Sequence, residues 1–190
     1  MLNLTRRAFL VPVALLMLVS GCGYNTIQTK DEAVNSALAQ VKVQLQRRAD
    51  LIPNLVETVK GFAAQETAVM TAVTEARARL AGAVESGTLA EMAEANTALN
   101  APLGRLLAIV EAYPDLKSNQ NFLQLQDQLE GTENRISVAR QDYNKVVEDF
   151  NGYIRRFPYN LTAKIFGHGT PREYFDLTSA QAGEVPAVKF

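Results

Sequence analysis

The chain contains no tryptophan, a single cysteine and a single histidine among its 190 residues. One cysteine excludes any intrachain disulfide. One histidine excludes the repeated Glu-x-x-His pairs that hold metals inside helical bundles. His168 also lies in the run Gly167-His168-Gly169-Thr170-Pro171, which reads as a turn facing solvent, so no Ser, His and Asp constellation can be assembled without forcing it. An excess of charge of one sign is missing too, with 19 basic against 20 acidic residues and a net charge of −1. That gives no footprint for a nucleic-acid partner, and basic residues interleave with acids, as in Glu75, Arg77 and Arg79, to give a solvated face. No glycine-rich phosphate loop occurs, since Gly21 and Gly23 flank Cys22 while Gly82 and Gly87 bracket a helix end. What remains is a chain 47% hydrophobic and 21% charged, the usage of one ordinary globular domain.

Long hydrophobic runs are likewise absent. The longest, Ala8 to Val19, has twelve residues and follows a start containing Arg6 and Arg7 but no acid. As a helix it spans about 18 Å, against about 30 Å for a bilayer core, and Pro12 interrupts it. Ser20-Gly21-Cys22 follows, so residues 1–21 have the order of a signal peptide: basic region, apolar region, small residues before a cleavage point. The run Val19-Ser20-Gly21-Cys22 resembles the lipobox of bacterial lipoproteins, in which the cysteine thiol takes a diacylglyceryl group. Cys22 is therefore the expected lipidation site, residues 22–30 the expected tether, and the membrane, reached through that anchor, a partner. Two or three acyl chains hold a protein stably where one does not. Gly rather than Asp at position 23 matches outer-membrane sorting of lipoproteins, facing the periplasm.

From residue 34 onward the apolar positions step by three and four, which is helical rather than strand periodicity. The first stripe runs Val34, Leu38, Val41, Leu45, Ile52, Leu55, Val59, Phe62, Val69, Val73, Ala76 and Leu80, in phase across Pro53. Proline removes a donor and crowds the carbonyl of Ala49, which predicts a kink near Ala49 to Pro53 or two helices abutting there. Ser86-Gly87 stops the run, and Thr88 with Glu91 reads as a capping box. The second stripe is Leu89, Met92, Leu99, Leu103, Leu106, Val110 and Tyr113, with Pro102 inside it. Ser118 or Asn119 can cap the third, which is Phe122, Leu125, Leu129, Ile136, Ala139, Tyr143, Val146, Phe150, Tyr153 and Phe157, ending at Pro158. Tyr159 to Phe166 can form a short helix, Tyr174-Phe175 pack on the end of the bundle, and residues 178–190 show no period and read as a loosely ordered tail. Short links between long helices favour antiparallel neighbours. The expected fold is all-α: an antiparallel up-and-down helical bundle over residues 31–177, with a long kinked first helix and a short C-terminal one.

Four positions on these stripes are polar: Arg48 and Glu66 in the first, Asn96 in the second, Thr132 in the third. A buried charge needs a partner. Arg48 and Glu66 sit about 27 Å apart along one straight helix and cannot pair unless the chain turns at Pro53. Candidate partners are Glu133, Arg135 and Arg140 in the third helix with Glu57 and Lys60 in the first helix. Two readings stand: interhelical pairs that fix register, or a polar groove that binds a peptide, glycan or lipid headgroup.

Tyr24-Asn25, the stretch Val41 to Glu66 (VKVQLQRRADLIPNLVETVKGFAAQE), Ala76-Arg77, Tyr113 to Asn144 (YPDLKSNQNFLQLQDQLEGTENRISVARQDYN), Asn151, Phe157-Pro158, Tyr174-Phe175 and Pro186 to Phe190 together resemble the LemA family. The resemblance implies a four-helix bundle and a membrane-associated envelope protein, with no established enzymatic activity, no cofactor and no catalytic residues to carry over. Many members have an N-terminal transmembrane helix, and the lipobox departs from that pattern.

The function expected on these grounds is a lipid-anchored module that acts by contact, with an envelope protein as its partner. The alternatives are an envelope enzyme acting on peptidoglycan or lipid through carboxylates in a groove, and a carrier with a lipid or other ligand between its helices.

Overall fold

A computed structural model describes the backbone of residues 2–175 and the side chains of residues 23–175. The Cys22 side chain and the expected tail 178–190 lie outside that range. The fold is all-α: α1 (Leu2–Lys60), α2 (Thr67–Ser86), α3 (Leu89–Val110), α4 (Pro114–Lys117), α5 (Gln120–Ile154) and α6 (Tyr159–Ile165), with no strand among the described residues. These elements form two compact units. One combines residues 2–38 with 142–173, the other residues 39–141 with 174–175.

The second unit shows where the apolar stripes were readable. In α1, Val41, Leu45, Ile52, Leu55 and Val59 are at most 1% exposed. Pro53 does not end the helix, which continues to Lys60. The interruption falls instead at residues 61–66, where Gly61, a weak helix former, follows a basic last turn. Two tight turns there, closed by Phe62 N–H to Val59 O at 3.0 Å and Glu66 N–H to Ala63 O at 3.0 Å, advance the inward face by one residue. Ala63 and Met70 are buried in place of the expected Phe62 and Val69, and Phe62 is left 42% exposed.

The α2–α3 corner forms as its residues dictate. Thr88 Oγ1 accepts from Glu91 N–H at 3.2 Å while Thr88 N–H donates to Glu91 Oε2 at 2.6 Å, the reciprocal cap that opens α3. Gly87 has an ordinary φ of −82° and is needed for space: a Cβ there would lie 2.6 Å from Ala83 O. With a link this short, α2 and α3 pack antiparallel. The α3 stripe is buried through Met92, Leu99, Leu103, Leu106 and Val110. Pro114 sits in the first turn of α4, where a missing N–H costs nothing, and Leu116 is fully buried. Asn119 Oδ1 accepts from Phe122 N–H at 3.1 Å and starts α5.

In the first unit, α1 is helical through the expected tether, and Ile27 is fully buried. The inward positions of α5 here are Tyr143, Val147, Phe150 and Ile154. Val147 and Ile154 replace the expected Val146 and Tyr153, and Phe157, beyond the end of α5, is 79% exposed. The short helix α6 lies against the start of the described side chains. A Cβ on Gly23 would meet Tyr159 Cδ1 at 2.7 Å, and the Tyr24 and Phe166 rings lie 4.6 Å apart. Tyr159 also stacks on Tyr153 with centroids 4.4 Å apart.

Candidate functional site

Among the described residues, the second unit buries one charged side chain, Arg48, at 6% exposure. It occupies a stripe position of α1 between Leu45 and Ile52, so helical spacing alone turns it inward. Its Nη1 donates to Asn96 Oδ1 at 2.6 Å and its Nη2 to Asn100 Oδ1 at 2.8 Å. The two asparagines stand one turn apart on α3, so the guanidinium plane meets both at once. Glu133 of α5 brings Oε2 to 2.6 Å from Nη1, an ionic contact whose angle falls outside a hydrogen bond. Burial lowers the Arg48 pKa from its ordinary value, and the Glu133 carboxylate opposes that shift. Glu133 is itself 47% exposed, so solvent screens the pair from one side.

Three helices thus meet at one cation through its two terminal nitrogens, while its Nε is buried without a hydrogen-bond partner. The neighbouring polar stripe residue, Thr132, turns back into its own helix and donates to Leu129 O at 2.8 Å. The arrangement ties α1, α3 and α5 together through one guanidinium.

The other sequence candidates are not gathered there. Glu66 lies beyond the end of α1, at the N-cap of α2, where its side chain caps nothing. Glu57 and Lys60 face each other at 3.7 Å on the solvent side of α1. Arg135 is exposed. Arg140 lies over the Phe175 ring, 4.8 Å from its centroid, and Phe175 is only 2% exposed. Glu133 is among the partners that the sequence offers Arg48, whereas Asn100 is marked in the sequence only by its spacing of four from Asn96.

A hollow of about 460 Å³ lies along the α2–α3 hairpin, lined by small residues such as Gly82, Ala83 and Ala95 with Arg79, Glu91 and Glu94. The Glu91 carboxylate is already engaged by the Thr88 amide. Among the described residues no three His, Cys, Asp or Glu side chains cluster with metal-binding geometry.

The first unit carries a polar clasp that periodicity did not suggest. Asn151, 4% exposed, donates through Nδ2 to Arg172 O at 2.9 Å and accepts from Arg172 N–H at 2.8 Å, as a neighbouring peptide would. Tyr143 donates its hydroxyl proton to Glu173 O at 2.9 Å. Burial pushes the Tyr143 phenol above its ordinary value, with Arg172 opposing the rise and Glu173 adding to it. Arg172 itself reaches Asp31 of α1 with Nε at 3.0 Å and Nη2 at 2.7 Å. His168, expected to face solvent, is half-buried and shares a hydrogen bond with Gln28 at 2.8 Å.

The sequence profile of the LemA family matches residues 37–190. The chain belongs to the LemA family. It is similar to Magnetosome protein MamQ 1 and Magnetosome protein MamQ 2 of Paramagnetospirillum magneticum, each 28% identical over 188 residues that cover 87% of this chain and 68% of the relative. Protein LemA of Metamycoplasma hominis is 21% identical over 180 residues, covering 95% of this chain and 78% of that protein. The LemA profile spans Arg48, Asn96, Asn100 and Glu133 as well as Asn151 and Arg172. Among the described residues, no helix is long and apolar enough to cross a membrane.

Proposed function

We propose that this LemA-family protein is a lipid-anchored module of the cell envelope that works by contact and carries no catalytic site. The observation that carries the reading is the run Val19-Ser20-Gly21-Cys22 behind a basic start and a short apolar stretch, with α1 continuing beyond it to Lys60. The buried cation at Arg48 supports it, because both of its terminal nitrogens bond between helices. Relatives named for a magnetosome rather than for a reaction support it further. On this reading the domain faces the periplasm, Gly23 favours the outer membrane, and an envelope protein is the partner.

The test is covalent mass analysis of the N-terminus of protein purified from bacterial membranes. A chain beginning at Cys22 and carrying acyl mass is expected, together with release of Cys22→Ala from the membrane fraction. An unmodified Cys22, with Cys22→Ala still sedimenting as wild type does, refutes the anchor. Crosslinking at the native membrane then asks for one recurrent envelope partner, and turnover of purified cell wall or lipid by the protein would refute the non-catalytic reading.

A further inference from the structure

Four of the nine large hydrophobic side chains that are exposed in the described residues fall within ten positions: Phe157 at 79%, Leu161 at 53%, Ile165 at 74% and Phe166 at 49%. They belong to α6 and its two flanks. Leu161 and Ile165 stand one turn apart on the helix, while Thr162 and Ala163 are its buried positions. A cluster of this kind on a folded protein marks a contact surface rather than random exposure.

Charge identifies the occupant. Residues 150–172 contain Arg155, Arg156, Lys164 and Arg172 and no acid, and residues 1–30 contain no acid either. Arg172 is committed to Asp31. Arg155, Arg156 and Lys164 are exposed and enter none of the ion pairs among the described residues. Large apolar side chains flanked by unpaired cations suit the boundary between acyl chains and anionic headgroups. Position points the same way. α6 packs on Gly23, the residue next to the proposed lipidation site, through Tyr159. We infer that the exposed apolar side chains of α6 and its flanks, Phe157, Leu161, Ile165 and Phe166, are a second membrane contact that lies in the surface of an anionic bilayer. This rests on the anchored reading, and it adds a surface that orients the first unit where the lipid alone would only hold it.

Because the chain has no tryptophan, Ile165→Trp in the full chain is a unique optical probe. The probe is mixed with vesicles of phosphatidylcholine containing about a third phosphatidylglycerol, with and without lipid brominated high on the acyl chain. Emission shifted to the blue, and quenched by bromolipid by about half, is the expected result. Reversing the charges with Arg155→Glu, Arg156→Glu and Lys164→Glu together should cut that quenching about threefold or more.

An unquenched indole overturns the inference whether or not the chain sediments with vesicles. Acyl mass on Cys22 in the same preparation judges the anchor separately. Emission already blue before lipid is added, and insensitive to bromolipid, means that a second copy covers the face and also overturns the inference. Quenching that survives charge reversal unchanged overturns the assignment to anionic lipid. Leu161→Trp, on the same face, repeats the reading should Ile165→Trp fail to fold.

Discussion

Arg77 Nε donates to the main-chain oxygen of Ala49 at 3.2 Å, and Ala49 is the residue whose carbonyl Pro53 leaves without its helical donor. The guanidinium of α2 supplies what the proline of α1 removed, while Asp50 stands 4.0 Å from its Nη2. This explains how α1 runs through Pro53 without ending there.

The two residues should therefore be coupled. Arg77→Met is expected to cost about 1 kcal/mol, the usual net worth of one hydrogen bond. Pro53→Ala restores the missing N–H, so in that background Arg77→Met should cost roughly half as much or less. A double-mutant cycle by urea denaturation measures the difference, and strict additivity would refute the relationship.

Arg48 and Glu66 should separate cleanly. Arg48→Met strands Asn96, Asn100 and Glu133 together and is expected to destabilise the protein by about 2 to 3 kcal/mol, reduced from a fully buried pair because Glu133 is half in water. Glu66→Met, at an uncapped helix start, should stay within about 0.5 kcal/mol of wild type. Equal losses in thermal melting would contradict the placement of these residues.

This contrast shows what was legible in the sequence. The α3 stripe, the Thr88–Glu91 cap and the inward turn of Arg48 follow from local spacing, and they were readable. The break at 61–66 was not, because two turns shift the inward face from Phe62 to Ala63 with the apolar rhythm hardly disturbed. Gly61 was the only signal, and a lone glycine inside a periodic stretch is weak. Asn151 escaped because its partner, Arg172, arrives after Pro158 and a turn, and no periodicity connects them.

Asn151→Leu keeps the volume and removes both bonds to Arg172. It is expected to destabilise the protein by about 2 kcal/mol, since the Arg172 N–H and C=O lose partners together. Amide hydrogen exchange at Arg172 should accelerate at least about tenfold. Unchanged protection there would show that Asn151 is not the clasp.

Tyr143 gives a pH signature. Its folded-state pKa is raised, so the folded chain keeps the phenolic proton above the ordinary tyrosine value of 10.0 while the unfolded chain loses it. The stability this group contributes is whole below pH 10 and declines as pH climbs toward the folded value. Tyr143→Phe should lower stability at neutral pH by about 1 kcal/mol and flatten the alkaline decline. Urea midpoints taken from pH 7 to 11 test both parts; an alkaline limb as steep as wild type's would exclude Tyr143 as its source.

Position 23 has room for a hydrogen and little else, with the Tyr159 ring 2.7 Å from where a β-carbon would stand. A molecule fastened at the preceding residue would have no slack to pay out, because its leash ends where its folded body begins. On the proposed anchored reading, whatever such a molecule engages would have to come to the bilayer and be met beside it.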